Sequence, residues 1–263
     1  MKKYLRILLM FAKTSLMEQM AYRTSFILAV IGKIFWLGVF IIFLKAIYLQ
    51  VPEISGWNFY ESIFLFAIFQ FITNAADILF YRSISDNLSW YIQRGNFDLI
   101  LVKPINKLFY STFETIDLMD GVSMLPILIL IGYLIPRLSV QFHLLNIVLG
   151  IILLFFALIF IYSWFVIIGT TYFWVISGRG LTQAADNMID LARWPTDIYQ
   201  GNARILFNFV FPIFIIATLP AKTILGNIDF PMIVYAFIIT IIFFVIAIKF
   251  WNFGLKHYAS ASS

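Results

Sequence analysis

Lys33, Asp77, Glu114, Asp117 and Asp120 are ionisable side chains set within, or at the ends of, long apolar runs. A charge at the middle of a membrane helix costs on the order of 2.5–3.5 kcal/mol on insertion scales, so such residues are candidates for function. Lys33 stands about nine residues into its run, roughly 14 Å from the start at the helical rise. It can line a path or bind a partner; it can equally snorkel to the interface or pair with an acid on a neighbouring helix. Glu114, Asp117 and Asp120 recur every third residue, which on a helix makes a slanting acidic row. That row can relay protons or draw cations into a vestibule, or simply answer Arg82, Lys103 and Lys107. Asp120, the deepest of the three, is the expected partner of Lys33, with Asp77 the other candidate.

Other chemistries are excluded by what the chain lacks. It has no cysteine, so disulfides, thiolate zinc sites and cysteine nucleophiles are out. Its two histidines, His143 and His257, lie far apart beside loops, and no metal site or catalytic centre is expected from them. No phosphate-cradling GxxxxGK[ST] loop occurs, so the chain does not hydrolyse ATP by itself. Of its 263 residues 62% are hydrophobic and only 12% charged, against about a quarter charged in a soluble domain. One globular core cannot hide that excess. The chain reads as an all-α polytopic membrane protein, with the lipid bilayer as solvent and no nucleic-acid partner.

Where the chain stays polar it does so with structure. The stretch 90–107 (WYIQRGNFDLILVKPINK) carries Arg94, a turn at Gly95-Asn96, Asp98, and a stop at Lys103-Pro104. Gly95 permits backbone angles other residues avoid, and Pro104 biases Lys103 away from helix. Between them Phe97, Leu99, Ile100 and Leu101 form a short amphipathic piece. A compact charged segment between two spans is what a membrane subunit offers to a soluble partner.

The elements that must hold these residues follow from hydropathy. Residues 1–22 carry Lys2, Arg6 and Lys13 on one helical face and Leu5, Leu9 and Leu16 on another, which predicts a basic interfacial helix. Spans of about 20 residues are predicted over 24–48, 59–81, 111–135, 144–176, 203–219 and 231–253. Pro126 predicts a kink in the third, and the fourth is long enough to tilt or protrude. A short amphipathic helix is expected around Leu181–Ala192, ended by Trp194-Pro195, and Pro212 breaks the fifth span. Pro220 and Gly226 punctuate a small helix after it. The segment 82–110 is expected to be a loop. Of the Lys and Arg residues, only Lys45, Arg137 and Lys222 fall outside and Lys33 within the membrane; the rest, Arg204 included, fall inside with both termini.

Over 92–108, IQRGNFDLILVKPINKL, the chain resembles the permease subunits of ABC-2-type ABC transporters, in particular those encoded in pairs beside one ATPase. The match is carried by Gly95, Asp98, Leu99 to Leu101 and Lys103-Pro104, with lysine where arginine is commoner. A second match runs from Trp194 through Pro195, Arg204, Pro212 and Pro220 to Gly226. The resemblance implies a six-helix half-permease in a bacterial-type cytoplasmic membrane, dimerising with itself or a sister permease. It implies a separate ATP-binding subunit that holds ATP and magnesium, a coupling helix in the loop after the second span, and export as the usual direction. On that reading Phe97 and Ile100 or Leu101 would fill a groove on the ATPase, with Arg94 and Asp98 at its rim. A standalone secondary carrier using Lys33, Asp77 and Asp120 is the alternative, disfavoured by the absence of an inverted repeat.

Overall fold

The computed structural model describes residues 2–21, 23–175 and 179–258, and among these the fold is helical without a single strand. Four stretches are long and apolar enough to cross a bilayer: Ile27–Tyr48, Phe59–Tyr81, Leu144–Thr171 and Phe230–His257. They belong to α2 (Arg23–Tyr48), to α3 (Phe59–Ala76) with the turn that follows it, to α8 (Leu144–Thr171) and to α12 (Phe230–His257). Their exposed apolar side chains, such as Phe35 and Ile42 on α2, form the surface that lipid covers. The enclosed core lies around α3 and the segment Ile213–Ala217, where Leu65, Phe66, Ile215 and Ile216 are buried.

Before α2 comes α1 (Lys2–Ala21), whose buried Phe11 and Ser15 face α6 (Lys107–Phe113) and the strand-free stretch beyond it. Phe11 meets Tyr110 edge-on at 5.5 Å, and the Ser15 hydroxyl accepts from the Ile116 amide. The turn between α2 and α3 is closed by paired backbone bonds between Ile54 and Trp57. Helix α3 then starts on a reciprocal cap: Asn58 accepts from the Glu61 amide while Glu61 accepts from the Asn58 amide.

Helix does not stop at Tyr81. It runs on through two π-helical turns, Asp77–Tyr81 and Ser83–Asn87, into α4 (Leu88–Gln93). At about 1.5 Å per residue, 59–93 extends for roughly 50 Å, well beyond a hydrocarbon core of about 30 Å. Much of the expected 82–110 loop is therefore a rigid helical extension. It ends at Gly95, whose φ of +70° is the left-handed conformation the turn requires. A single-turn helix α5 (Phe97–Leu101) and α6 follow.

The third predicted span differs most from expectation. Helix α6 ends at Phe113, residues 114–118 are non-helical, and helix resumes only as a 3₁₀ turn, Met119–Ser123, leading into α7 (Met124–Leu134). Pro126 sits in the first turn of α7, where its missing amide has no helical partner to lose. The acidic row does not form either, because Glu114 and Asp117 stand on the break instead of on one helix. The break is stitched to the π-helical stretch. Ser83 bonds both the amide and the carbonyl of Thr115, Asn87 donates to the Thr115 hydroxyl, and the Asp117 amide donates to the Ile78 carbonyl. Irregular backbone at membrane depth is tolerated where protein satisfies it.

Helices α8 and α12 run side by side in the same direction, as the ring pairs Phe156–Phe237 at 4.3 Å and Phe160–Phe243 at 5.1 Å show. Gly254 lets them close. A Cβ there would stand 2.7 Å from both Phe173 and Thr170.

Between these two helices lies the second correction. The amphipathic helix α9 (Arg179–Asp190) begins beside the Tyr81 end of α3, where Tyr81 bonds Asp186. The chain continues through a 3₁₀ turn, Leu191–Arg193, to Trp194, which packs on Phe40 and Phe43 of α2, and to Asp197, which bonds Trp57 at the opposite end of α3. Residues 179–198 thus run the whole length of α3. The expected span 203–219 is instead an excursion from that second end: Gly201–Val210, which holds α10 (Gly201–Ile205), and Ile213–Ile224, which holds α11 (Thr218–Ile224), meet at 68°. Both limbs return to one place, because Asp197 pairs with Lys222 and the Thr196 amide donates to Thr218. Arg204 goes with this excursion and leaves the group of bases at the Tyr81 end. Pro212 occupies the bend, as expected of a residue that cannot donate to a helix.

Candidate functional site

At the Tyr81 end the π-helical extension, α1, α4, α6 and α9 enclose an open cavity of about 1100 Å³. Its wall is polar: Glu18 from α1, Arg82, Ser85 and Asp86 from the extension, Glu114 from the break, and Asp186 from α9. Three tyrosines tie two of these carboxylates, Glu114 and Asp186, in place. Tyr81 donates to Asp186 at 2.8 Å; Tyr91 and Tyr110 both donate to one oxygen of Glu114, at 2.7 and 2.6 Å. Burial, then the bond to Glu114 and its charge, push the Tyr91 and Tyr110 phenols well above their ordinary range. Lys103 adds a further link, donating to the Tyr110 hydroxyl at 2.5 Å. Asp117 pairs with Arg82 at 3.3 Å. Of the acids in the expected network, Glu114 thus serves two tyrosines and Asp117 pairs with Arg82.

The stretch 94–107 folds onto this end as a platform. Phe97 is 0% exposed, its ring 5.3 Å from Phe173, 6.5 Å from Trp251 and 5.2 Å from Tyr258. Ile100 is buried as well. Both residues expected to reach into a partner are instead turned into the protein, and Phe97 fastens α5 to the C-terminal ends of α8 and α12, because one apolar face of so short a helix must be covered to order it at all. The opposite face is bare: Leu99 is 63% exposed, Val102 80%, and Leu101 is exposed too. Arg94 stacks over Trp90 at 4.9 Å, Asp98 lies in the first turn of α5, and Lys103-Pro104 ends the segment at the expected place.

At the Trp57 end one carboxylate joins three segments. Asp197 accepts from the Trp57 indole at 2.9 Å and from Lys222 at 2.7 Å. Tyr48 ties the same turn together, donating to the Trp57 carbonyl and meeting the Ser62 hydroxyl. Pro195 and Pro220 are buried beside the junction, Pro195 preceding a 3₁₀ turn and Pro220 lying in the first turn of α11.

Lys33 points inward and donates to Asn74 at 3.0 Å, with Asn74 itself anchored on the Gln70 carbonyl. The expected partner side chain of Asp120 lies outside the described residues, and Asp77 opens the first π-helical turn one step beyond α3. Sequence reasoning missed Asp186, Asp197, Trp57 and Tyr91. Tyr110 and Glu114 were within reach of it, since their spacing of four puts them on one helical face. Asp197 and Lys222 carry no local signal, being 25 residues apart.

The model of the family described as ABC-2 family transporter protein matches residues 34–262, and the chain belongs to that family. No curated protein and no solved structure matches it.

Proposed function

We propose that the chain is the permease subunit of an ATP-driven exporter, working as a dimer with a second copy or a sister permease. A separate ATPase subunit, binding ATP and magnesium, docks on the 94–107 platform. The Tyr81 end is the cytoplasmic end. Six passages follow on this reading: α2, α3 with its extension, Met119–Arg137, α8, 179–198 and α12, with both termini inside and the excursion 201–224 dipping in from outside. The remaining bases at the Tyr81 end, Arg82, Arg94, Lys103, Lys107, Lys249 and Lys256, accord with that orientation. The membrane is the cytoplasmic membrane of a bacterial-type cell.

The observation that carries this reading is the two-faced helix α5. Its buried face is fixed to the spans by Phe97, so a push on the platform reaches α8 and α12 directly; its bare face, Leu99, Leu101 and Val102, stands beyond the long helices where an ATPase can cover it. Copurification of the ATPase, followed by ATP-driven transport in vesicles with ATP on one side, tests it. An ATPase that remains bound when Leu99 and Val102 are both replaced by Asp would overturn the docking site.

A further inference from the structure

Between residues 105–108 and the last turns of α12 lies a groove of about 340 Å³. Ile105 and Leu108 form one wall; Ile248, Trp251 and Leu255, which share a helical face, form the other. Trp251 is buried and contributes apolar ring surface to that wall. Lys107 lines the groove and donates to the Lys103 carbonyl at 2.5 Å, and Lys3 of α1 donates to the neighbouring Pro104 carbonyl at 3.2 Å. Among the described residues no carboxylate lines the groove.

We infer that this groove holds one anionic phospholipid of the inner leaflet. An acyl chain lies along the apolar walls, and the phosphate meets the ammonium group of Lys107, with that of Lys3 beside Pro104 next to it. The depth is right for such a ligand. Trp251 stands in the last turns of α12 with Lys249 and Lys256 on either side, and aromatic and basic side chains together mark the headgroup level. The basic interfacial helix α1 supplies the lid lysine, so the lipid would bridge α1, the 103–107 turn and α12. This assignment rests on the orientation proposed above, with the Tyr81 end cytoplasmic, and stands apart from the choice of ATPase or cargo.

The test is native mass spectrometry of the purified chain with phosphatidylglycerol or phosphatidylcholine of identical acyl chains. Phosphatidylglycerol should be retained preferentially, and Lys3→Gln and Lys107→Gln should each lower that retention about fivefold. Lys107→Arg should keep it. Asn252 is exposed beside the groove, so Asn252→Trp fills the groove without disturbing the core and should abolish retention in a monodisperse protein. Equal retention of the two lipids, an unchanged preference in the double lysine variant, or full displacement by millimolar inorganic phosphate would each overturn the assignment; the last would leave a free-anion site instead.

Discussion

The two ends of the bundle are built on opposite plans. At the Trp57 end the chain converges: three segments close on Asp197, and the limbs of the excursion fold back on each other around buried Ile215, Ile216 and Ala217. At the Tyr81 end it diverges, leaving a cavity of about 1100 Å³ whose acids are held by tyrosines rather than by bases. The lesson concerns what holds each end. The closed end combines one partly exposed ion pair and one indole bond, together about 1–2 kcal/mol, with the buried packing of 213–217. The open end rests on the continuous 59–93 helix and the aromatic anchor of Phe97.

The strongest way to break the comparison is to loosen the anchor. Phe97→Ala removes a fully buried ring from the Phe173–Trp251–Tyr258 cluster and should cost about 3–5 kcal/mol. The loss should appear as a lower melting temperature of the permease purified alone, before any partner is added. An unchanged melting temperature would return Phe97 to the docking face. The bare face should behave in the opposite sense. Val102→Asp should leave melting unchanged and reduce ATPase copurification by tenfold or more, on the order of 2 kcal/mol.

How far the sequence foretold these two ends differs for physical reasons. Span-length hydropathy located α2, α3, α8 and α12, because lipid exposure demands uninterrupted apolar residues. It did not show that residues 179–198 run along α3, since Asp186 and Asp190 make α9 look like a surface helix while Tyr81 and Arg193 bind them. It took 203–219 for a crossing because composition cannot distinguish a span from a dip that returns; that depends on Asp197 meeting Lys222. The platform was legible through Gly95 and Lys103-Pro104, which are local turn signals. Which of its apolar residues faces inward was not, because Phe97 is chosen by aromatic rings from residues 173, 251 and 258.

A smaller effect sharpens the contrast at the closed end. The chain has no cysteine, so Leu219→Cys, at a buried position on α11, provides a single reporter for an impermeant maleimide. Asp197→Ala removes both bonds of the junction and should raise labelling from outside about tenfold. Asp197→Asn keeps an acceptor for Trp57 and should raise it less. Equal labelling in all three backgrounds would show that packing of 213–217 alone keeps this end shut.

The smallest effect is at the open end and is read through pH. Tyr91 and Tyr110 are held protonated by burial and by the Glu114 carboxylate they both serve. Their folded-state pKa values lie above the unfolded value of about 10, so the folded chain keeps protons that the unfolded chain has released. The sign follows: their contribution to stability is complete below about pH 10 and is lost as pH rises towards the folded-state values. Tyr110→Phe leaves Tyr91 to serve Glu114 and should cost about 1 kcal/mol near pH 8. The difference between the variant and the parent should then shrink above pH 10, because the parent loses what the variant no longer has. Melting curves of both proteins from pH 8 to about 11 would show the two converging. If the gap instead stays constant across that range, the tyrosines fill space around the cavity and their protons do not hold Glu114.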